Sequence, residues 1–467
     1  MNKGFRNLGE IMSSNEILRE VEYSSLAKSR VHNFKIKGSD SIKLIVPPTV
    51  YPPRRDTELL LQGLNSIKLQ AGNLVEIGCG SGAISIAMAL GGWNVTAFDV
   101  NPLAVVATIG NSEVAGVEDY VTVKEGGVGE ENWKLPKDVD LVVWNLPYLV
   151  PNLENMLGPM EEAAMTDEAN LGWSEKLLHV ANDESEKDTM FVLLMNSDSN
   201  PKNSSLSWIK NGWSRRTLAI ERVGDDTLEV VAFWRPGFGS ESEYIEVTNS
   251  TMDEARKLPK FGWQRIRSGE QINGRGRRGA NWHSKQGDMI ASWSVGLDEI
   301  NRWTPGLLQV SIGASISEAL GIQLKWPNDL IFQQQKCGGI LLESSTSEER
   351  IRIGVGLNKD AREIEGVSYA GWEDYYGDIN ADDMFQIIDA SISSILDSSP
   401  PIENSSEILW QQKSWIKLSE ILSRGVITQY DEQTVNVVGL SNTGELNAIS
   451  ATSKHEIQDV GDFFIAF

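Results

Sequence analysis

The chain has 467 residues and carries 42 Lys plus Arg against 65 Asp plus Glu, a formal net charge of −23. That length exceeds one ordinary hydrophobic core, so two or three domains are expected, and the charge opposes any broad attraction to nucleic-acid backbones or anionic membranes. Cys79 and Cys337 lie far apart and the four histidines are scattered, which offers neither a disulfide framework nor zinc-ligand spacing; with no apolar leader core and no run of membrane-spanning length, a cytoplasmic protein is expected.

From residue 74 short apolar runs alternate with helical stretches: NLVEIGC, GAISIAMALGG, NVTAFDV, PLAVVATIGNSEVAG and DLVVWNL. Strand, helix, strand, helix, strand predicts an open parallel α/β sheet, which MFVLLMN and LEVVAFW extend to Trp234. A first domain is therefore set at 1–236. RPGFGSESE (235–243) is rich in Gly, Ser, Pro and Glu and has no apolar face, so 237–243 is read as a linker.

A second domain, 244–408, opens at YIEVTNSTMDEAR. Strands are predicted near 263–267, 289–297, 322–325, 329–333 and 351–357, with a helix around 306–320. Sequence-adjacent, antiparallel pairing is expected, an α+β arrangement. From 409 to 467 closely spaced strands with SNTG as a turn predict a small appended barrel.

The stretch VEIGCGSGAISIAMA puts three glycines between a strand and a helix. Small residues there let the backbone approach a ligand, and the helix N-terminus offers unpaired N–H groups. The spacing is G-x-G-x-G, not the G-x-G-x-x-G of dinucleotide sites. Asp99 ends the next strand, where a carboxylate accepts both ribose hydroxyls of a nucleoside. At the end of a third strand, WNLPY builds a holder for a planar NH2 group. The Asn145 side-chain oxygen and the Leu146 carbonyl accept its two hydrogens, and Tyr148 stacks on its face. The nitrogen lone pair then points at a methyl donor, so orientation supplies much of the catalysis.

VYPPRRDTELLL (50–61), VEIGCGSG, AFDVNP and NLPY together resemble the HemK-type class I methyltransferases. The opening stretch looks most like the archaeal and eukaryotic branch that methylates the glutamine of a class 1 release factor. The resemblance covers residues 40–235 and implies a Rossmann-like domain binding S-adenosylmethionine through Thr57, Glu76, Gly78 and Asp99, with Glu125 on the adenine side. It also implies that Asn145, as the catalytic residue, grips the substrate amide with Leu146, Pro147 and Tyr148, and it leaves open a small activator subunit. The family pattern is Asn-Pro-Pro-Tyr; Leu146 replaces the first proline, which removes one fixed φ. Two other readings stay open: an adenine amino group in nucleic acid as acceptor, for which an acidic domain is a poor host, and a non-catalytic docking module.

GRGRRGANWHS (274–284) is a basic, glycine-rich loop in an acidic chain. An RGG-type nucleic-acid segment is normally repeated, and this copy is single. A solvated basic loop is the plain alternative. A loop folded over a carboxylate and a phosphate uses both residue types, Gly for the path and Arg for bidentate grips. Downstream, KWPNDLI (325–331), KCGGILLE (336–343) and GVGLN (354–358), with NSTMDEAR (249–256) upstream, resemble the biotin protein ligases in order and spacing. The resemblance runs from Tyr244 to Phe467, ends in an SH3-like barrel, and lacks the N-terminal DNA-binding helices of some members. Lipoate ligases share the fold class but lack GRGRRG and KWPND.

That resemblance implies that the biotin carboxylate attacks the α-phosphate of ATP, giving biotinyl-5′-AMP and pyrophosphate, and that a lysine of a biotin carboxyl carrier protein of acetyl-CoA carboxylase then displaces AMP. It assigns Ser250, Thr251, Met252, Gln271 and Gly276 to the biotin site, Arg275 and Arg277 to the carboxylate and phosphate side, and Lys325 to the bridging charge in both steps. Trp282 covers the adenine; Asn328, Asp329 and Asn358 face ATP, whose Mg2+ comes with the nucleotide rather than sitting in a fixed metal site. Ala280 stands where the family often has Arg, which implies either weaker ordering of the loop or a looser hold on the adenylate. A homodimer through the ligase part is left open, Trp326 is read as either core or site, and Cys337 as packing.

Overall fold

A computed structural model describes residues 28–36, 41–147, 172–196, 204–223, 226–345, 349–424, 426–460 and 463–466. Tyr148 lies outside them. The chain divides into two compact units, Met1–Trp208 with Arg215–Trp234, and Ile209–Ser214 with Arg235–Phe467.

In the first unit a hairpin, β1 (Arg30–Phe34) and β2 (Ile42–Val46), precedes α1 (Arg55–Leu64), β3 (Asn73–Ile77), α2 (Ala83–Leu90), β4 (Asn94–Asp99), α3 (Pro102–Ala115), β5 (Val121–Glu125) and β6 (Leu141–Asn145). Then come α4 (Trp173–Glu184), β7 (Met190–Asn196), β8 (Ser214–Val223) and β9 (Asp226–Trp234). The sheet runs β5-β4-β3-β6-β7-β9-β8; β3 to β7 are parallel and β9 runs antiparallel to β7. Every residue of MFVLLMN in β7 is buried, as expected of a central strand covered on both faces. Strand order reverses between β3, which pairs with β4, and β6, and such a switch point opens a crevice at the carboxyl ends of the strands.

The second unit contains β10 (Glu243–Thr248), α5 (Thr251–Glu254), β11 (Gln264–Gln271), β12 (Gly274–Arg275), β13 (Asn281–Trp282), β14 (Met289–Gly296), α6 (Pro305–Leu320), β15 (Gln323–Lys325), β16 (Asp329–Phe332), β17 (Gln335–Ser345) and β18 (Arg350–Leu357). β19 (Arg362–Ile364), β20 (Val367–Tyr369), α7 (Ala381–Leu396) and α8 (Glu407–Leu422) follow. The main path of the sheet is β10-β11-β14-β18-β17-β16-β15. Along this path the expected sequence-adjacent antiparallel order fails at two places, and off it β20 pairs in parallel with β17. β10 and β11 are parallel, because the chain between them crosses over through α5, and β14 pairs with β18, remote in sequence. Helix α6 starts on the Thr304 cap with Pro305 in its first turn and ends at Gly321 with φ 68°, a start and stop the sequence carries openly. It packs on α7, α8 and β17. From α7, Asp389 accepts from the indole nitrogens of Trp263 and Trp293, each at 2.8 Å, and from Arg265 at 2.9 Å.

Two segments depart from the expected boundaries. The segment read as a linker is docked: Gly237 N–H donates to Asp397 at 2.7 Å, and Arg265 reaches the Ser240 carbonyl at 2.6 Å. Its hold is polar and backbone-based, which an apolar-periodicity reading does not register. The boundary at 409 falls inside α8. After it come β21 (Ile427–Tyr430), β22 (Gln433–Thr434), β23 (Asn436–Leu440), β24 (Leu446–Ile449), β25 (Lys454–Ile457) and β26 (Phe463–Ala466), in two three-stranded sheets, β22-β21-β26 and β23-β24-β25.

Candidate active sites

The first site occupies the crevice beyond β3, β4 and β6. The turn after β3 passes through Gly78, Gly80 and Gly82 with φ of 69°, 54° and 82°, left-handed backbone that glycine adopts freely. A Cβ on Gly82 would meet Thr108 Cγ2 at 2.9 Å, so the turn needs bare backbone as well as its dihedrals. Asp99 accepts from the N–H groups of Gly80 and Asn101, both at 2.8 Å. Burial raises its carboxyl above the usual range, against those two hydrogen bonds. Glu76 is 5% exposed and accepts a hydrogen bond from the Ser85 hydroxyl. Burial pushes its carboxyl up to about 8, Ser85 opposes that, and the Asp99 charge adds a little to it.

Asn145 at the end of β6 faces the same crevice. Its Nδ2 donates to Asp56 Oδ2 at 2.9 Å, while its buried Oδ1 has no hydrogen-bond partner among the described residues. Asp56, buried itself, is fixed by Tyr51 OH at 3.1 Å and Thr57 N–H at 2.8 Å. An unsatisfied buried acceptor costs about 1–3 kcal/mol, and a ligand N–H would remove that cost. The Leu146 N–H donates to the Leu194 carbonyl of β7 at 3.2 Å. A proline there has no N–H; the leucine exchanges a ring-fixed φ for a strand hydrogen bond. Thr57, Glu76, Gly78, Asp99, Asn145, Leu146 and Pro147 all line one cavity, as do Trp144 and Trp173. Glu125 does not line it; the wall beyond β5 is Gly126, Gly127 and Val128.

The second site lies over β14, β17 and β18, walled by the hairpin of β12 and β13. The tip of that hairpin is a 3-10 turn, Arg277–Gly279, closed by Ala280 N–H donating to the Arg277 carbonyl at 3.0 Å. Trp282 lies against bare backbone: a Cβ on Gly356 would come within 2.6 Å of its ring. The floor is polar. Gln271 Oε1 accepts from Thr251 N at 2.8 Å, Ser292 donates to the Thr251 hydroxyl at 2.8 Å, and the buried Ser250 hydroxyl has no partner among the described residues. Lys336 Nζ is 2.6 Å from Asp329 and 5.9 Å from the Trp282 ring centre. Arg275 is held by Asp253 through two contacts of 3.0 Å, and Arg277 stands 3.5 Å from Asn328 Oδ1.

Residues 55–174 match the ribosomal protein L11 methyltransferase (PrmA) family model, and residues 244–360 match the biotin/lipoate A/B protein ligase family model. The bifunctional ligase/repressor BirA of Bacillus subtilis is 34% identical over 128 residues, 25% of this chain and 39% of that protein. The ribosomal protein L11 methyltransferase of Herpetosiphon aurantiacus is 36% identical over 81 residues, 16% of this chain and 25% of that protein. The chain therefore spans well under two thirds of the length of these relatives. A solved biotin protein ligase from Aquifex aeolicus, in complex with biotin and ATP, is 24% identical with a TM-score of 0.40, covering 49% of this chain and 99% of its own. The chain thus joins a PrmA-like methyltransferase segment, the methyltransferase domain, to a segment similar to the biotin/lipoate protein ligases, the ligase domain.

In the ligase domain, Ser250, Thr251, Met252, Gln271, Arg275, Gly276, Arg277, Trp282, Asn328 and Asp329 converge on one pocket. Two expected members do not line it. Lys325 ends β15, and the lysine brought to the pocket is Lys336, which opens KCGGILLE and projects from β17 across from Asp329. Asn358 is buried, with its amide donating to the Ala370 carbonyl at 3.0 Å. Trp326 is a core residue, its indole nitrogen donating to the Gly444 carbonyl at 2.9 Å. Cys337 is buried, its thiol pushed up to about 12 chiefly by burial, which suits packing. In the methyltransferase domain the sequence reading missed Asp56, although it sits inside the quoted VYPPRRDTELLL; only the fold brings it to Asn145.

Proposed function

We propose that the ligase domain joins biotin to a lysine of a biotin carboxyl carrier protein, at the expense of ATP. The observation that carries this reading is the convergence of the basic loop, the Trp282 plate and the Lys336–Asp329 pair on one pocket. The Thr251–Gln271 floor and the unpartnered Ser250 hydroxyl suit a ligand with several N–H and C=O groups. Two anions must meet, so positive charge is needed where a biotin carboxylate oxygen bonds to the α-phosphorus and pyrophosphate leaves. Arg277 and Lys336 are placed to offset that repulsion. In the second step the carrier amine attacks the acyl carbon, a C–N bond forms, AMP leaves with the bridging oxygen, and the amine proton passes to solvent. Magnesium would arrive with the triphosphate, facing Asp329 and Asn328. The six terminal strands are the parts of the small SH3-like barrel this reading includes. Pyrophosphate release from ATP is measured with and without biotin; release that ignores biotin, or none, refutes the reading.

For the methyltransferase domain we infer binding of S-adenosylmethionine and transfer of its methyl group to a planar NH2, the glutamine amide of a class 1 release factor being the acceptor favoured by NLPY and residues 50–61. The residues fit the cofactor: the turn of Gly78, Gly80 and Gly82 leaves backbone open to it, and Asp99 is held by two backbone N–H groups with its carboxylate in the cavity. The cofactor would supply an electrophilic methyl group. The observation that carries this reading is the unpartnered Asn145 Oδ1, which with the Leu146 carbonyl would accept both amide hydrogens and leave the lone pair free. A small activator subunit finds support in α3, where Leu103, Val106 and Val114 are exposed beside the sheet-edge strand β5. Mass spectrometry after incubation with a release factor, with Asn145→Ala as control, tests the acceptor. Methylation of nucleic acid alone would move it to adenine, and neither binding nor transfer would leave a docking module.

A further inference from the structure

The three arginines of the ligase loop are engaged unequally. Arg275 is gripped by Asp253 and lies 3.4 Å from Glu343. Arg278 forms a close ion pair with Asp459. Arg277 lines the pocket but stands back from its neighbours, 3.5 Å from Asn328 Oδ1 and 3.6 Å from Asp459 Oδ1. Asp459 belongs to the segment between β25 and β26, remote in sequence from the loop. Its carboxylate is fixed from behind by the Val460 N–H at 2.7 Å, and Val460 itself lines the pocket. Arg278 has a φ of 55°, a left-handed conformation that a side-chain-bearing residue keeps only where its surroundings hold it. The ion pair to Asp459 is a contact able to hold it.

We propose that Asp459 is a positioning residue of the ligase site, clasping the basic loop through Arg278 so that Arg277 is presented, loosely engaged, to the anion of an incoming ligand. The proposal rests on the ligase reading above. Its charge balance is suited to the task. One carboxylate faces two guanidinium groups, both on residues that line the pocket, so one positive charge is left over, and it lies on the less closely paired Arg277. A ligand phosphate oxygen that approaches closer than Asp459 takes Arg277, while Arg278 keeps the loop in place. Arg278 holds the Asp459 carboxyl below its ordinary range, with Arg277 contributing, so the clasp stays charged through neutral pH.

Trypsin reads the clasp directly, because it cuts after Arg277 and Arg278 when the loop is released. In the ligand-free full-length chain, Asp459→Asn is expected to be cut at those bonds about three- to five-fold faster than the parent, the size expected of a partly exposed ion pair. Asp459→Glu should restore the parent rate. Calorimetry with ATP as the probe should show Asp459→Asn and Arg278→Ala each weakening binding by about the same factor, with the double variant no weaker than either alone. Unchanged cleavage in Asp459→Asn, additive losses in the double variant, or tighter ATP binding would each overturn the proposal, the last by making Asp459 a competitor for the site. Should Asp459→Asn fail to fold, trypsin cleavage after Arg277 in Arg278→Ala decides the matter: faster cleavage than in the parent supports the clasp, and an unchanged rate overturns it. If the parent binds no ATP, the ligase reading fails while the cleavage result still decides the clasp.

Discussion

Replacing Lys336 with Ala should abolish most biotin-dependent pyrophosphate release, whereas Lys325→Ala should leave it within a few-fold. The magnitude follows from placement. Lys336 Nζ lines the pocket, 5.9 Å from the Trp282 ring centre and 2.6 Å from Asp329. For a ligand phosphate in the pocket about 5 Å from the ammonium, a unit charge at an effective dielectric near 20 is worth about 3 kcal/mol, or roughly two orders of magnitude in rate. The loss is compounded because Asp329 would then face the phosphates without its counter-ion. Lys325, cross-strand from Asp329 but outside the lining, is expected to contribute less. The assay is coupled detection of pyrophosphate at saturating biotin and ATP, with Lys336→Arg to separate charge from geometry. A hundred-fold loss in Lys325→Ala with near-normal activity in Lys336→Ala would refute the reasoning.

Asp56→Ala should lower methyl transfer about a hundred-fold with S-adenosylmethionine affinity within a few-fold, since Asn145 loses the contact that orients it; equal losses in affinity and turnover would count against a positioning role. Glu76 carries a pH prediction. Its carboxyl titrates near 8 when folded against about 4.3 when unfolded, so the folded state keeps a proton the unfolded state loses. Stability from this group is full below about pH 4.3 and is lost as pH rises to 8. Glu76→Gln should flatten the dependence of thermal stability between pH 5 and 8, and calorimetry showing the parent slope unchanged would sink it. Gly356→Ala should displace the Trp282 ring, whose atoms lie 2.6 Å from the added Cβ, and weaken ATP binding about ten-fold; unaltered affinity and tryptophan emission would remove Trp282 from the nucleotide site.

What the sequence determined by itself is local. The glycine turn after β3, the Asp at the end of β4, the capped and glycine-ended α6 and the basic hairpin at 274–282 are written in contiguous residues, because left-handed φ, caps and strand alternation are nearest-neighbour effects. Their order along the chain was enough to separate two sites. Tertiary structure decided everything that depends on which side chains meet. Two lysines stand eleven positions apart in adjoining motifs, KWPND and KCGG, and spacing alone does not say which enters the pocket; the pairing of Asp329 with Gly339 across β16 and β17 brings Lys336 alongside. Asp56 reaches Asn145 only because α1 packs against the crevice, and Asp459 reaches the loop only because the terminal strands return to it. Local chemistry fixes what a residue can do; long-range packing fixes which residues do it together, and that information lies in contacts between distant segments rather than in any one of them.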